Sequence, residues 1–434
     1  MDKFFKLIVK TFYREIKIKG LENLPESGQA IFTPNHPNSL MDPLLLSCLP
    51  LKYRIRFVAK APLFKVPLLG WLMRRMGAIP VIRKFEADGE VDYQSFFKSC
   101  VDSLASGDSI IIFPEGLSLP QSRMSAIKTG VARLFFLAHE KDINSPIIPV
   151  GLNYEQGSIF RSSVVIWIAH PLETDDVIKK YNESTGDAVR ELTERVGNAL
   201  EECVFQSENF LERELMLYLE RLYSEDKADD SWPERLNRLK RFEAGLNTIR
   251  DGSLAEINRL RNMLSRHRKL VNLLHKTHHS YINNKPRSLK RLLTAMAGFP
   301  IAAAGCLLTF LPYRSCDFIV KNIKKYDMAK TATYKVVYSI ILFPLTFLLE
   351  AILIYIFFGW IISILFLILI IPLSYFTLYF IEWLYEGGWG MPIYLRKLRK
   401  TFRNRISQRL EEQSSRIIDL IDDLAARLDQ QSVK

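Results

Sequence analysis

A histidine and an aspartate with five residues between them, His36-Pro37-Asn38-Ser39-Leu40-Met41-Asp42, directly follow the apolar run Ala30-Ile31-Phe32-Thr33-Pro34. An imidazole titrating near neutrality can take the proton of an alcohol, and a neighbouring carboxylate fixes its tautomer and stabilises the imidazolium that forms. The same two residue types also suit a loop histidine followed by a helix-capping aspartate, which is the commoner outcome for an isolated pair. His36 and Asp42 each precede a proline, which biases both away from helical dihedrals. Six residues fully extended would reach about 20 Å, so a turn must fold the segment back if the pair is to meet. Asn38-Ser39 carries the turn signal in the right place.

Three further blocks follow in order. Gly77-Ala78-Ile79-Pro80-Val81-Ile82-Arg83 delivers a fixed cation at a strand end. Ile112-Phe113-Pro114-Glu115-Gly116-Leu117-Ser118 runs from a strand into a glycine turn, with Lys128-Thr129-Gly130 downstream. Ile148-Pro149-Val150-Gly151-Leu152 is the last. The elements that must position them are short β-branched runs at 30–32, 55–58, 78–82, 109–113, 147–152 and 164–168, alternating with helical spacing at 91–106 and 129–140. Such alternation predicts an α/β layered domain over residues 20–182, with the chemistry at strand ends.

As an ordered set, the four blocks resemble the motifs of the glycerolipid acyltransferases. These enzymes acylate glycerol phosphate or lysophosphatidate from acyl-CoA or acyl carrier protein, with no further cofactor. The resemblance covers roughly residues 20–175 and implies a mixed sheet flanked by helices. Most of that family has four residues between the histidine and the aspartate. The five found here, with the Asn35-His36-Pro37-Asn38-Ser39-Leu40-Met41-Asp42-Pro43 wording, look most like the branch of the glycerol-3-phosphate/dihydroxyacetone-phosphate acyltransferases. Leu117-Ser118 stands where a Thr-Arg often follows the third motif, so a phosphate contact from that arginine must come from elsewhere.

The chemistry then divides among named residues. His36 would abstract the proton of the acceptor hydroxyl with Asp42 as its orienting partner, and the alkoxide would attack the thioester directly. Arg83 offers a planar fork suited to phosphate, and Lys128 or Arg133 adds charge near the start of a helix, where backbone amides also favour anions. Glu115 would repel phosphate; it is assigned to a glycerol hydroxyl, to holding Arg83, or to pinning the Gly116 turn. Asn35, Gly116 and Ser118 complete the substrate-binding set, Ser118 serving equally as a cap. No GxSxG elbow occurs in the α/β region, which weakens a serine-hydrolase reading. A non-catalytic scaffold that only binds lipid is the rival of a different class.

The remainder of the chain is read from charge and hydropathy. Lys and Arg number 59 against 47 Asp and Glu, for a net charge of +12, which suggests an anionic partner. The apolar segments favour a membrane over nucleic acid. Val336–Ile381 carries one charge, Glu350, and breaks at Gly359-Trp360, which predicts a transmembrane hairpin with both cation-flanked ends cytoplasmic. Residues 292–313 are uncharged but basic on both sides and interrupted by Gly298, Pro300 and Gly305, which favours a re-entrant or in-plane segment over a full span. The first 19 residues suit an interfacial helix rather than a signal peptide. Residues 183–284 read as helical, and 395–434 as a charged amphipathic helix. The five cysteines form no CxxC pair, and the His267, His275, His278 and His279 group lies in a basic stretch, so no metal site is expected. The protein is thus read as an integral membrane enzyme with its catalytic domain on the cytoplasmic face. Oligomeric state is not legible.

Overall fold

The computed structural model describes residues 3–82, 93–118, 122–223, 232–252, 254–273, 289–323, 330–386 and 412–419. They divide into two units. The first comprises residues 1–213 with 231–240 and 327–333; the second holds the rest.

Seven strands form the sheet of the first unit: β1 (Glu15–Lys19), β2 (Ile31–Pro34), β3 (Ile55–Lys60), β4 (Ile79–Val81), β5 (Ser109–Ile111), β6 (Ile147–Tyr154) and β7 (Ser163–Ile168). Their order is β1-β7-β6-β2-β5-β3-β4. Neighbours run parallel except β6 and β7, which are antiparallel, so the sheet is mixed. Every residue of β2 and of β6 is buried, as expected for central strands covered on both faces. β3 instead alternates buried and half-buried residues.

Helices close both faces. α1 (Lys3–Phe12) buries Phe5, Val9 and Phe12, and α2 (Met41–Leu46) is buried along its whole length. α3 (Pro67–Arg75) precedes β4. α4 (Tyr93–Ala105), α5 (Gly130–His139), α6 (Asp175–Glu183) and α7 (Thr185–Cys203) supply the other large apolar layer. On α7 the buried residues Ala188, Leu192, Val196 and Leu200 recur every fourth position, a single stripe facing that core. Truncating Leu192 to alanine there would cost about 2–5 kcal/mol. Gly151 permits the contact of β6 with the end of α7, because a Cβ would lie 2.0 Å from the Cys203 carbonyl oxygen.

Two expected boundaries shift. Residues 15–19 are not helical but pair with β7 as an edge strand, so only 3–12 of the N-terminal segment is helix, and its apolar face packs into the α/β unit. The short alternation Glu-Ile-Lys-Ile-Lys in β1 is a strand pattern masked by its lysines. At the other end the unit does not stop at residue 182, since α7 belongs to its core.

α8 (Phe210–Tyr223), α9 (Trp232–Gly252) and α10 (Leu254–Leu273) follow. In the second unit Leu215, Leu219 and Leu222 of α8 cluster with Leu260 and Leu264 of α10 and with Ile417 of the helical stretch 412–419. Buried His267 hydrogen-bonds Tyr218 Oη at 2.6 Å and Ser414 Oγ at 2.9 Å. His275, His278, His279 and the rest of the C-terminal tail lie outside the described residues.

Among the described residues, three helices are long and apolar enough to cross a membrane: α11 (Leu289–Lys321), α12 (Thr331–Phe358) and α13 (Trp360–Glu386). Gly359, at φ +83°, is the single residue between α12 and α13. Ser363 Oγ donates to the Ala351 carbonyl at 2.8 Å, so the chain folds back there as a hairpin. Glu350 Oε2 is buried with no hydrogen-bond partner among the described residues. The segment expected at 292–313 lies within one continuous helix despite Pro300 and Pro312.

Candidate active site

Parallel pairing decides which loops meet. β5, β2 and β6 are adjacent and parallel, with Ile110 and Ile147 flanking Ile31. Their carboxyl ends therefore open on one edge of the sheet, where ligands of open α/β sheets bind. That edge receives His36 from β2, Phe113 and Glu115 from β5, and Tyr154 from β6.

His36 Nδ1 lies 2.8 Å from Asp42 Oδ2. The turn through Asn38-Ser39 closes the gap, with Ser39 in the left-handed region at φ +51°. The Met41 and Asp42 amides donate to the Asn38 and Ser39 carbonyls, opening α2. Asp42 Oδ2 also accepts the Asn38 amide at 2.8 Å. Of the two roles open in the sequence, Asp42 takes histidine orientation: α2 has no side-chain cap, and the same oxygen braces the turn before it. Oδ1 accepts the Tyr154 hydroxyl at 2.6 Å.

Asp42 is fully buried, and its Oδ2 accepts the Asn38 amide while its Oδ1 accepts the Tyr154 hydroxyl, the pattern of a carboxylate acceptor. By that accounting Nδ1 carries the imidazole proton and Nε2 the free lone pair. The ring is stacked on Phe113, centroids 3.9 Å apart and planes 19° apart. His36 remains 15% exposed, and among the described residues Nε2 has no hydrogen-bond partner. The arrangement leaves one basic nitrogen, correctly protonated on its far side, facing outward from the edge of the sheet.

Tyrosines 13 and 154 are the residues that motif reasoning passes over. Tyr13 Oη accepts from Asn38 Nδ2 at 2.8 Å and donates to the Gly157 carbonyl at 3.1 Å. Burial, and then the Asp42 charge, push both phenols well above the ordinary tyrosine value. Both therefore stay protonated and hold the Asp42 pocket. The available signal was positional: Tyr154 ends the strand beside β2, two residues beyond the fourth block.

The other expected residues are placed unequally. Glu115 is buried, and its two oxygens accept the backbone amides of His36 at 2.8 Å and Ser125 at 2.9 Å. It ties the His36 loop to its own, and neither bond goes to Gly116. Asn35, grouped with substrate contacts, turns its amide to both main-chain groups of Leu152, accepting at 2.7 Å and donating at 3.2 Å. That buried amide extends the pairing of β2 with β6. Ser118 Oγ accepts the Ser39 amide at 2.8 Å, fixing the left-handed residue. Gly116 sits at φ +68°, and a Cβ there would lie 2.7 Å from Lys128 Nζ, so Lys128 drapes over the turn. Lys128 and Arg133 are exposed, Arg133 within the first turn of α5. Arg83 lies outside the described residues.

This geometry sets a hydrogen-bonded histidine–aspartate pair at the edge of an α/β sheet. The Acyltransferase family model matches residues 15–153, the segment that builds the edge. The chloroplastic 1-acyl-sn-glycerol-3-phosphate acyltransferase LPAT1 of Arabidopsis thaliana is 36% identical over 120 residues, 27% of this chain and 32% of its own. A Brassica napus counterpart is 32% identical over 142 residues, 32% of this chain and 38% of its own. Glycerol-3-phosphate O-acyltransferase 1 of Saccharomyces cerevisiae is 32% identical over 96 residues, 21% of this chain and 13% of its own. The chain spans about a third of the length of the first of these relatives. The lysophosphatidate acyltransferase PlsC of Thermotoga maritima aligns with 46% of this chain and 79% of its own, at 21% identity and a TM-score of 0.31. Residues 15–153 thus form a domain of the glycerolipid acyltransferase family.

Proposed function

We propose that the protein transfers a fatty acyl group from an acyl-CoA or acyl carrier protein thioester to the hydroxyl of glycerol-3-phosphate. The observation that carries this reading is the His36–Asp42 hydrogen bond, which leaves Nε2 as a free base at the shared end of β5, β2 and β6. The acceptor hydroxyl gives its proton to Nε2 while its oxygen attacks the thioester carbon. The tetrahedral intermediate collapses, the C–S bond breaks, and the thiolate takes the proton back from His36. No acyl-enzyme is formed, and no metal or other cofactor enters the sequence.

Lys128 over the Gly116 turn, with Arg133, supplies positive charge for the acceptor phosphate, and Arg83 is assigned to the same task. The likeness to the plant enzymes favours lysophosphatidate as a second acceptor; dihydroxyacetone phosphate is the third. Cations at both ends of the hairpin sequence support a cytoplasmic-face location, with membrane lipid as the surroundings. Purified protein in detergent, given labelled acyl-CoA and acyl carrier protein with each of the three acceptors, tests the proposal. Ester formation with glycerol-3-phosphate is expected. Thioester hydrolysis without acceptor would indicate a hydrolase, and failure with every acceptor a scaffold.

A further inference from the structure

Composition makes α11 a third span, yet its contacts place both of its ends at the same end of the α12–α13 hairpin. At its start the Arg291 guanidinium lies 5.4 Å from the Trp383 ring, in the last turn of α13. Towards its end Cys316 Sγ lies 3.5 Å from the Lys335 carbonyl and 3.6 Å from Ser339 Oγ, near the start of α12. Between them Ala295, Gly298, Ala302 and Gly305 form a buried small-residue stripe. Gly298 closes on Phe380 and Gly305 on Thr377, the close approach that small residues allow. From Arg291 to Cys316 the helix covers about 37 Å at 1.5 Å per residue. Over that length it packs inward along α13 as far as Thr377 and Leu373 and meets the start of α12 at Cys316.

Connectivity reaches the same conclusion independently. Residues 231–240 belong to the α/β unit, where Lys240 Nζ donates to the Glu201 carbonyl at 2.7 Å. Residues 327–333 belong to it too, where Thr333 Oγ1 accepts the Leu40 amide at 3.2 Å. The excursion from Arg241 onward thus begins and ends in one and the same unit. The sequence from Arg241 to Ser288 is too densely charged for a crossing. A single crossing by α11 would leave that excursion unreturned. Cations mark both ends of the helix, Lys290 and Arg291 in its first turn and Arg314 and Lys321 near its close, as suits two ends at one charged surface.

We infer that α11 is not a third span but lies within a single leaflet, with both of its ends at the open end of the α12–α13 hairpin. Leu293, Met296, Phe299, Leu307, Phe310 and Phe318, all exposed, are the surface it gives to the acyl chains. The partner is the bilayer itself, and the inference does not depend on the acyltransferase reaction. It is tested in full-length protein reconstituted into liposomes, with Cys306 changed to serine.

Lys290→Cys, Asn322→Cys, Trp360→Cys and the surface reference Glu140→Cys are treated with an impermeant maleimide from either side. Positions 290 and 322 should label from the side of position 140, and 360 from the other. Labelling of 290 from the side of 360 would overturn the inference. Spin labels at Leu293→Cys, Leu307→Cys and Phe318→Cys give a second readout by depth-dependent relaxation. Three depths within a single leaflet are expected, with position 307 no shallower than the other two. A depth that increases steadily along the helix and passes the bilayer centre would contradict it.

Discussion

Replacing Asp42 by asparagine separates the charge of this residue from its geometry. Oδ2 accepts both the His36 ring proton and the Asn38 amide, whereas Oδ1 meets only the Tyr154 hydroxyl, which can rotate to accept instead. An asparagine therefore places its oxygen at the Oδ2 position and its NH₂ towards Tyr154. The imidazole keeps its tautomer and its place, and only the negative charge is lost. With Nδ1 and Oδ2 2.8 Å apart, the charge centres of imidazolium and carboxylate are separated by about 4 Å. At an effective dielectric of about 20 such a pair interacts by about 4 kcal/mol. At about 1.4 kcal/mol per tenfold, Asp42→Asn should lower kcat by about a thousandfold. Single-turnover transfer from labelled thioester measures this, with thermal unfolding to show that the fold is retained. A loss below tenfold would refute the role given to the charge, and a loss well beyond ten-thousandfold would refute the argument that asparagine keeps the imidazole in place.

Further outcomes follow from the same network. Tyr154→Phe leaves Asp42 Oδ1 buried without its donor, which should cost about 1–3 kcal/mol of stability by thermal or denaturant unfolding. Both phenols titrate above their unfolded value of about 10, so the stability they contribute is present below pH 10 and lost as pH rises through the folded value. The native protein should thus weaken above about pH 10, and Tyr154→Phe should show a shallower alkaline decline; parallel curves would contradict the assignment. Burial pushes the Cys100 and Cys203 thiols up to about 12. Neither should react with a thiol reagent at pH 8 until the protein is unfolded, and rapid native labelling of either would place it outside the core.

The fold was legible where pattern and periodicity agree. Six strands, the α/β alternation and the break at Gly359 all follow from local sequence. β1 escaped because three of its five residues are charged or half-exposed lysine and glutamate positions on an edge strand, a pattern that a helix start also shows. α7 reads as part of a helical region, and only its four-residue stripe, matched to the sheet face, assigns it to the α/β core. In the site, residue types announced His36 and Asp42, while the partners that hold them came from tertiary pairing. Glu115 and Asn35 have the chemistry of substrate ligands, yet burial directs both to backbone amides, which must be satisfied when loops are packed together. Tyr154 could be placed beside Asp42 only once β6 was known to neighbour β2.

The central claim is that His36 Nε2 is the base for acyl transfer, and it is tested most directly by comparing native protein with His36→Ala. Both would be purified in detergent and supplied with labelled acyl-CoA or acyl carrier protein and glycerol-3-phosphate, with the ester product counted. Proton removal by a positioned base contributes about a hundred- to ten-thousandfold, so the variant should lose at least two orders of magnitude while retaining its unfolding temperature. Ester formation by His36→Ala at the native rate would contradict the account.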